Sequence, residues 1–310
     1  MSDNFGDIED KEPLNMKIWT QWDDLKIPLG FTHLKTDGQL PKQGDVEAIQ
    51  FYVPRYMGGR EPLEIIPRMK SLQVVQSPNA GYDDVLQFLP HGVTLCNAAG
   101  VHDASTAELA VGLTIASRRG FAKFAQSQHV GLWEHSKERS LADSLVGVVG
   151  YGNIGRLIAS QVSHFQAEVI SFSRGGRDGS IPISDFDSYL PKLDVIILIV
   201  PLTAETQNFM NAKRISAMKD GATLVNVARG PVVDTEALVK ELNTGRITAG
   251  LDVTDPEPLP QSHALWSAKN VIISPHVGGD TSAFEPRGKK LVEDQLLRLA
   301  EGKPLINIVA

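Results

Sequence analysis

"VGVVGYGNIGRLIASQVSHFQAEVISFSRGGR" occupies residues 146–177. Its apolar run "VGVVGY" ends among glycines at 150, 152 and 155 and passes into "NIGRLIASQVSHF", a helical pattern. A strand, a GxGxxG turn and a helix in that order make a phosphate loop. Gly150 permits the tight turn, Gly152 lets the backbone approach a pyrophosphate, and Gly155 lets helix and strand pack closely. The helix N-terminus adds free N–H groups and a partial positive charge. Gly150, Tyr151, Gly152, Asn153, Ile154 and Gly155 are therefore candidate cofactor contacts. The next strand, "EVISFS" (168–173), lacks the acid that often bonds the ribose 2′-hydroxyl of NAD. Ser173, a neutral donor, and Arg174, a cation with a phosphate-matching fork, stand there instead, followed by Gly175, Gly176 and Arg177. The expected cofactor is NADP(H), with NAD(H) second.

Outward from this stretch, apolar runs alternate with helical patterns. Strands are expected at 146–151, 168–173, 194–200, 222–227, 247–253 and 270–274, nearly continuous apolar runs suited to burial on both faces. Upstream, "AIQFYV" (48–53) and "LQVV" (72–75) read as strands, with the partly helical "EPLEIIPRMK" between them. This βαβ rhythm implies parallel sheets. A helix over 103–119 is expected, with Asp103 or Ser105 as its N-cap and Arg118 and Arg119 in its last turn. It is apolar on most sides, which suggests burial on two faces, between domains or between subunits. A last helix spans about 284–301.

The chain of 310 residues is long enough for two domains. Its net charge of −7 disfavours nucleic acid and anionic lipid as partners. The single cysteine, Cys96, excludes an internal disulfide and reads as a buried structural thiol. No apolar run approaches the length of a membrane span. The acidic, polar N-terminus lacks the order of a signal peptide, so residues 1–15 are expected to be a disordered tail and the protein cytoplasmic. No metal site is expected.

Three polar residues each follow an apolar strand, where an open α/β sheet holds its ligands. Arg229 follows 222–227, Glu257 lies between prolines after Asp252, and His276 follows the last strand. A guanidinium grips a carboxylate with two bonds. A histidine exchanges a proton near neutral pH, and a carboxylate beside it raises its pKa. With a nicotinamide to supply or take a hydride, this set interconverts a 2-hydroxy acid and a 2-oxo acid.

The segments "VGVVGYGNIGRLIA", "VPLTAETQNFMN", "LVNVARGPVVDTEAL", "AGLDVTDPEPLP" and "NVIISPHVGG", in this order, resemble the D-isomer-specific 2-hydroxyacid dehydrogenase family. The resemblance covers essentially the whole chain after Met16 and points to a glyoxylate/hydroxypyruvate reductase-like oxidoreductase acting on CH–OH donors. It implies two doubly wound, Rossmann-like α/β domains with the active site in the cleft between them. Residues 16–98 with 284–310 would form the substrate domain, and 99–283 the dinucleotide-binding domain. Arg229 would bind the substrate's carboxylate and carbonyl, His276 would be the acid and base, and Glu257 would tune it. Asp252 would bond the nicotinamide carboxamide, with Thr206, Val227, Ala228, His276 and Gly278 also near the cofactor. The backbone N–H groups of Ala80 and Gly81, in "SPNAGYDDV", would bind the substrate carboxylate. A homodimer is implied, with the 103–119 helix near its interface.

The chain departs from the family pattern at the missing acid after the second strand and at Trp266, in "HALW". "FYVPRYMGG" (51–59) identifies no substrate, although Arg55 or Tyr56 could select a side chain. Alternatives are a formate- or phosphite-type dehydrogenase on this fold, or a dinucleotide-sensing, corepressor-like binding dimer.

Overall fold

The computed structural model describes residues 15–36 and 41–310; the expected N-terminal tail lies almost wholly outside them. The chain divides into two compact units, one running to Val101 and resuming at Glu285–Ala310, the other spanning His102–Phe284.

In the first unit, β1 (Met16–Trp19), β2 (Phe31–His33), β3 (Phe51–Tyr52), β4 (Val74–Gln76) and β5 (Thr94–Cys96) form a parallel sheet in the order β2-β1-β3-β4-β5. Helices α1 (Gln43–Glu47) and α2 (Glu61–Glu64) lie along the crossovers. Trp19, Tyr52, Val75 and Leu95 build the core on one side. Ile18, Phe51, Val74 and Cys96 build it on the other. The strand expected over 48–53 is only two residues long, because Phe51 and Tyr52 alone find ladder partners on both neighbours. Cys96 is buried, as its sequence setting implies, and burial pushes its thiol pKa up to about 11.

In the second unit, α3 (Asp103–Arg118) and α4 (Phe121–His129) precede β6 (Leu145–Val149), α5 (Asn153–Ser163), β7 (Glu168–Ser173) and β8 (Ile181–Pro182). Then come α6 (Phe186–Tyr189), β9 (Val195–Leu198), α7 (Ala212–Ala217), β10 (Thr223–Asn226), α8 (Thr235–Thr244), β11 (Thr248–Leu251) and β12 (Val271–Ile273). The seven strands are parallel, in the order β12-β11-β10-β9-β6-β7-β8. β9 and β10 are buried along their whole length, as continuous apolar runs predict. β7 and the edge strand β12 are only partly covered. Helix α9 (Phe284–Ala300) leads back to the first unit, where Val292 and Leu296 enter its core.

The structure corrects the expected cap of α3. His102 is the N-cap residue and makes no side-chain capping bond. The Ser105 hydroxyl instead meets that of Thr281 at 2.9 Å, so it serves the loop after β12. The apolar character of α3 on several sides is satisfied within its own unit. Ala107, Ala110 and Leu113 share a core with Val148, Ile158 and Val225, and Ser117 donates to the Ala249 carbonyl at 3.2 Å. Arg118, in the last turn, is buried and donates to the Ser140 and Asp194 carbonyls and to Ser144 Oγ.

Candidate active site

The strand order of the second unit reverses at the β6/β9 pair, the place where such a sheet holds a dinucleotide. The glycine loop lies there, and its sterics explain its composition. Gly150 has φ +108°, and a Cβ on it would stand 2.2 Å from the Ile199 carbonyl oxygen. A Cβ on Gly155 would stand 1.9 Å from the Gly150 oxygen. A Cβ on Gly152, the extended N-cap residue of α5, would meet nothing within 4 Å. The first and third glycines close the turn against its neighbours, and the second leaves open space at the helix N-terminus. These residues fit a dinucleotide's pyrophosphate. Tyr151, Asn153 and Ile154 complete the loop, and the Arg156 guanidinium lies 4.7 Å over the Tyr151 ring.

At the end of β7, Ser173 Oγ bonds the Ser180 hydroxyl at 2.7 Å and accepts the Arg177 N–H at 3.3 Å. The serine thus shapes the 174–180 loop. Arg174 is largely exposed, with the Glu205 carboxylate 3.9 Å from its guanidinium. Glu205 escaped the sequence reading because nothing in its local pattern marks it as a neighbour of residue 174. Thr206 turns its hydroxyl to the Pro201 carbonyl at 2.6 Å and accepts the Thr203 N–H at 2.8 Å, fixing the loop after β9.

Past β10, Asn226 staples the turn that carries Arg229. Its Nδ2 donates to the Arg229 carbonyl at 2.9 Å, and its Oδ1 accepts the Ala228 N–H at 3.0 Å. Val227 and Ala228 are buried beneath the turn. The Arg229 guanidinium donates to the Ala228 carbonyl at 2.9 Å.

The loop after β12 is organised by Asp252, at the end of β11. Its carboxylate, 3% exposed, accepts Ser274 Oγ at 2.6 Å and the N–H groups of Val277 and Gly278, both at 2.9 Å. Its carbonyl accepts the His276 N–H at 2.8 Å. His276 has φ +55°, a left-handed conformation that costs a non-glycine residue free energy and persists only when its surroundings enforce it. Asp252 and Ser274 provide that enforcement. Sequence reading missed the roles of Ser274 and Asn226, which depend on contacts between separate strands.

The His276 ring is held through Nδ1 by the Glu257 carboxylate. Glu257 raises the histidine's pKa, burial and the positive charge of Arg229 oppose the rise, and Asp252 adds to it. Imidazole, carboxylate and guanidinium thus share one carboxyl edge of the sheet. With Nδ1 engaged, Nε2 is left to exchange a proton.

In the first unit, the Ala80–Gly81 turn follows β4 and is held by Asn97, whose Nδ2 donates to the Ala80 carbonyl at 2.7 Å. The Asn79 N–H donates to Ser77 Oγ at 3.1 Å. Among the described residues no group of His, Cys, Asp and Glu is arranged to hold a metal, and no helix is long and apolar enough to cross a membrane.

Residues 111–278 match the model of the D-isomer specific 2-hydroxyacid dehydrogenase, NAD binding domain. A hydroxypyruvate reductase of Thermotoga maritima is 35% identical over 240 residues, 74% of this chain and 78% of that one. A glyoxylate reductase of Pyrococcus furiosus is 33% identical over 310 residues, 94% and 88% of the two chains. The solved D-isomer specific 2-hydroxyacid dehydrogenase of Xanthobacter autotrophicus, in complex with NADPH and MES, superposes with a TM-score of 0.76 at 25% identity, covering 96% of this chain and 98% of that one. The glycine loop, the sheet orders and these likenesses agree: the chain belongs to the D-isomer specific 2-hydroxyacid dehydrogenases, oxidoreductases built on a nicotinamide dinucleotide-binding domain.

Proposed function

We propose that the protein reduces a small 2-oxo acid to the D-2-hydroxy acid, and runs the reverse reaction, with NADP(H) as preferred cofactor. The observation that carries this reading is the His276 ring held by Glu257 under the influence of Arg229, at the carboxyl edge of the dinucleotide-binding sheet. Arg229 grips the substrate carboxylate and polarises its carbonyl. His276, as imidazolium, gives a proton from Nε2 to the carbonyl oxygen, and Glu257 stabilises the charged ring before that transfer. The bound nicotinamide supplies the hydride for the carbonyl carbon. In the first unit, the N–H groups of Ala80 and Gly81 are the proposed further donors to the carboxylate.

Asp252 has its oxygens committed to the 274–278 loop, but a carboxylate offers about four acceptor sites. It therefore serves the loop and the nicotinamide carboxamide together. Thr206, Val227, Ala228 and Gly278 form the rest of the proposed cofactor wall, and Ser173 and Arg174 receive the 2′-phosphate. The names of the relatives make glyoxylate and hydroxypyruvate the first substrates to try. Absorbance decay of NADPH across a panel of small 2-oxo acids tests the reading. Turnover of at least one is expected, with D configuration wherever the hydroxy acid formed is chiral; no turnover across the panel would refute it.

The proposed assembly is a homodimer. Beyond α3 the chain exposes Phe121, Val130, Leu132 and Trp133, the last with 96% of its surface free. Apolar surface concentrated in one short segment marks a protein contact, and this segment adjoins the α3 helix. The lone buried thiol suits a reducing compartment, and the cytoplasm is the proposed location.

A further inference from the structure

Helix α9 buries Leu291, Val292 and Leu296, and with them the amide of Gln295. Gln76, at the end of β4, is equally buried. A buried amide costs free energy unless its hydrogen bonds are made. Here both make them, and the bonds run in one direction. The Ile306 N–H donates to Gln295 Oε1 at 3.0 Å. Gln295 Nε2 donates to the Ile306 carbonyl at 2.9 Å and to Gln76 Oε1 at 2.8 Å. Gln76 Nε2 donates in turn to the Ser77 and Asn97 carbonyls, at 2.9 and 3.0 Å. Those two carbonyls fix the orientation of the Gln76 amide, so its oxygen faces Gln295 and requires a donor there.

The relay reaches Asn97, just past β5, from two sides. The Asn97 carbonyl takes Gln76, and its N–H donates at 2.9 Å to the carbonyl of Asn307, next to the stapled Ile306. Asn97 and Ala98 then hold the turn after β4. Asn97 Nδ2 donates to the Ala80 carbonyl at 2.7 Å, and the Ala98 N–H donates to the Asn79 carbonyl at 2.9 Å. A peptide group is planar and trans, so its N–H points opposite to its carbonyl. The Asn79 carbonyl shares a plane with the Ala80 N–H, and the Ala80 carbonyl shares one with the Gly81 N–H. Both N–H groups are thereby aimed away from the 97–98 backbone, each through the oxygen of its own peptide.

We propose, resting on the reading of Ala80 and Gly81 as carboxylate donors, that Gln295 is a positioning residue for the substrate. Through Gln76, and through Ile306 and Asn307, it fixes Asn97. Through Asn97 it fixes the direction of the two N–H groups. Every residue of the relay belongs to the first unit, so its effect falls on the 2-oxo acid and not on the glycine loop that takes the cofactor. Linked buried hydrogen bonds hold one arrangement as a set, and a break at Gln295 is felt at the far end.

Steady-state kinetics of the full chain with glyoxylate or hydroxypyruvate and NADPH test this, with thermal unfolding followed alongside. Gln295→Met keeps the bulk and removes the bonds. Gln76→Met cuts the relay at its middle and leaves the bonds between Gln295 and Ile306 in place. Each should raise the KM for the 2-oxo acid by about tenfold, the worth of one charge-assisted hydrogen bond, with kcat changed less and the KM for NADPH nearly unchanged. Leu296→Ala is the control. It opens a cavity in the same core and should lower the unfolding temperature while leaving the oxo-acid KM near wild type. A wild-type oxo-acid KM in a folded Gln295→Met or Gln76→Met overturns the proposal. So does a rise matched by Leu296→Ala or shared equally with NADPH, since either marks general loosening. Asn97→Ala, which frees the Ala80 carbonyl directly, separates the proposal from the reading beneath it. If Asn97→Ala raises the oxo-acid KM and the glutamine variants do not, the loop binds the carboxylate and the relay alone has failed. If Asn97→Ala also leaves that KM unchanged, the loop reading has failed and the proposal with it.

Discussion

Asp252 carries His276. The backbone N–H of His276 donates to the Asp252 carbonyl at 2.8 Å, and the Asp252 carboxylate holds the next two N–H groups. The proposed acid therefore stands in a left-handed conformation as part of a clamp, and Ser274 locks that clamp through a 2.6 Å bond to the carboxylate.

Ser274→Ala removes one bond to a charged acceptor, worth about 1.5–3 kcal/mol. Small displacements of a catalytic group cost rate steeply, so kcat should fall by roughly tenfold or more, with the KM for the 2-oxo acid changed less. Ser274→Thr should restore most of the rate. Wild-type kcat in Ser274→Ala would show that the clamp does not position the ring.

On the proposed mechanism, Glu257 sets the pH range of reduction. Its hydrogen bond and charge hold the His276 pKa above the ordinary histidine value. Reduction needs the imidazolium, so activity persists below the raised pKa and is lost as pH climbs through it. In Glu257→Gln the fall should begin at lower pH than in wild type. Coincident pH–rate profiles for the two proteins would contradict the role given to Glu257.

Cofactor choice tests the β7 terminus. Arg174→Ala should raise the KM for NADPH by roughly ten- to a hundredfold and leave that for NADH nearly unchanged. In the proposed site Glu205, 3.9 Å from Arg174, would compete with the phosphate for that cation, so Glu205→Gln should lower the KM for NADPH. Equal loss of both cofactors in Arg174→Ala would remove the residue from phosphate recognition.

The exposed apolar segment after α3 predicts assembly. Light scattering should give about twice the chain mass of 33.7 kDa. Trp133→Asp should shift the population toward monomer by placing a charge in the contact. A wild-type monomer at micromolar concentration would refute the dimer.

How much of this was legible in the sequence depends on the range of the interaction. The glycine loop could be read directly, because its reasons are local: Gly150 and Gly155 stand where a Cβ would strike the adjoining backbone. The central strands of the second sheet could be read because burial on both faces demands unbroken apolar runs. The short β3 could not, since its length depends on which residues of β1 and β4 lie opposite. Arg229, Glu257 and His276 were singled out as candidates through their places after strands and through the resemblance of their segments. Asn226, Ser274 and Glu205 were not, because each acts through a neighbour that only the fold supplies. Ser105 reads as a helix cap until Thr281 is seen to take its hydroxyl.

The central claim is that His276 gives the proton in reduction of a 2-oxo acid, and one comparison tests it most directly. Steady-state NADPH oxidation with saturating glyoxylate or hydroxypyruvate should be measured on wild type and His276→Ala, alongside NADPH binding by fluorescence. The account predicts a kcat lowered by about two to four orders of magnitude, the usual worth of a positioned acid, with NADPH affinity nearly unchanged. A variant that keeps more than about a third of the wild-type kcat, a deficit far below that range, would contradict it.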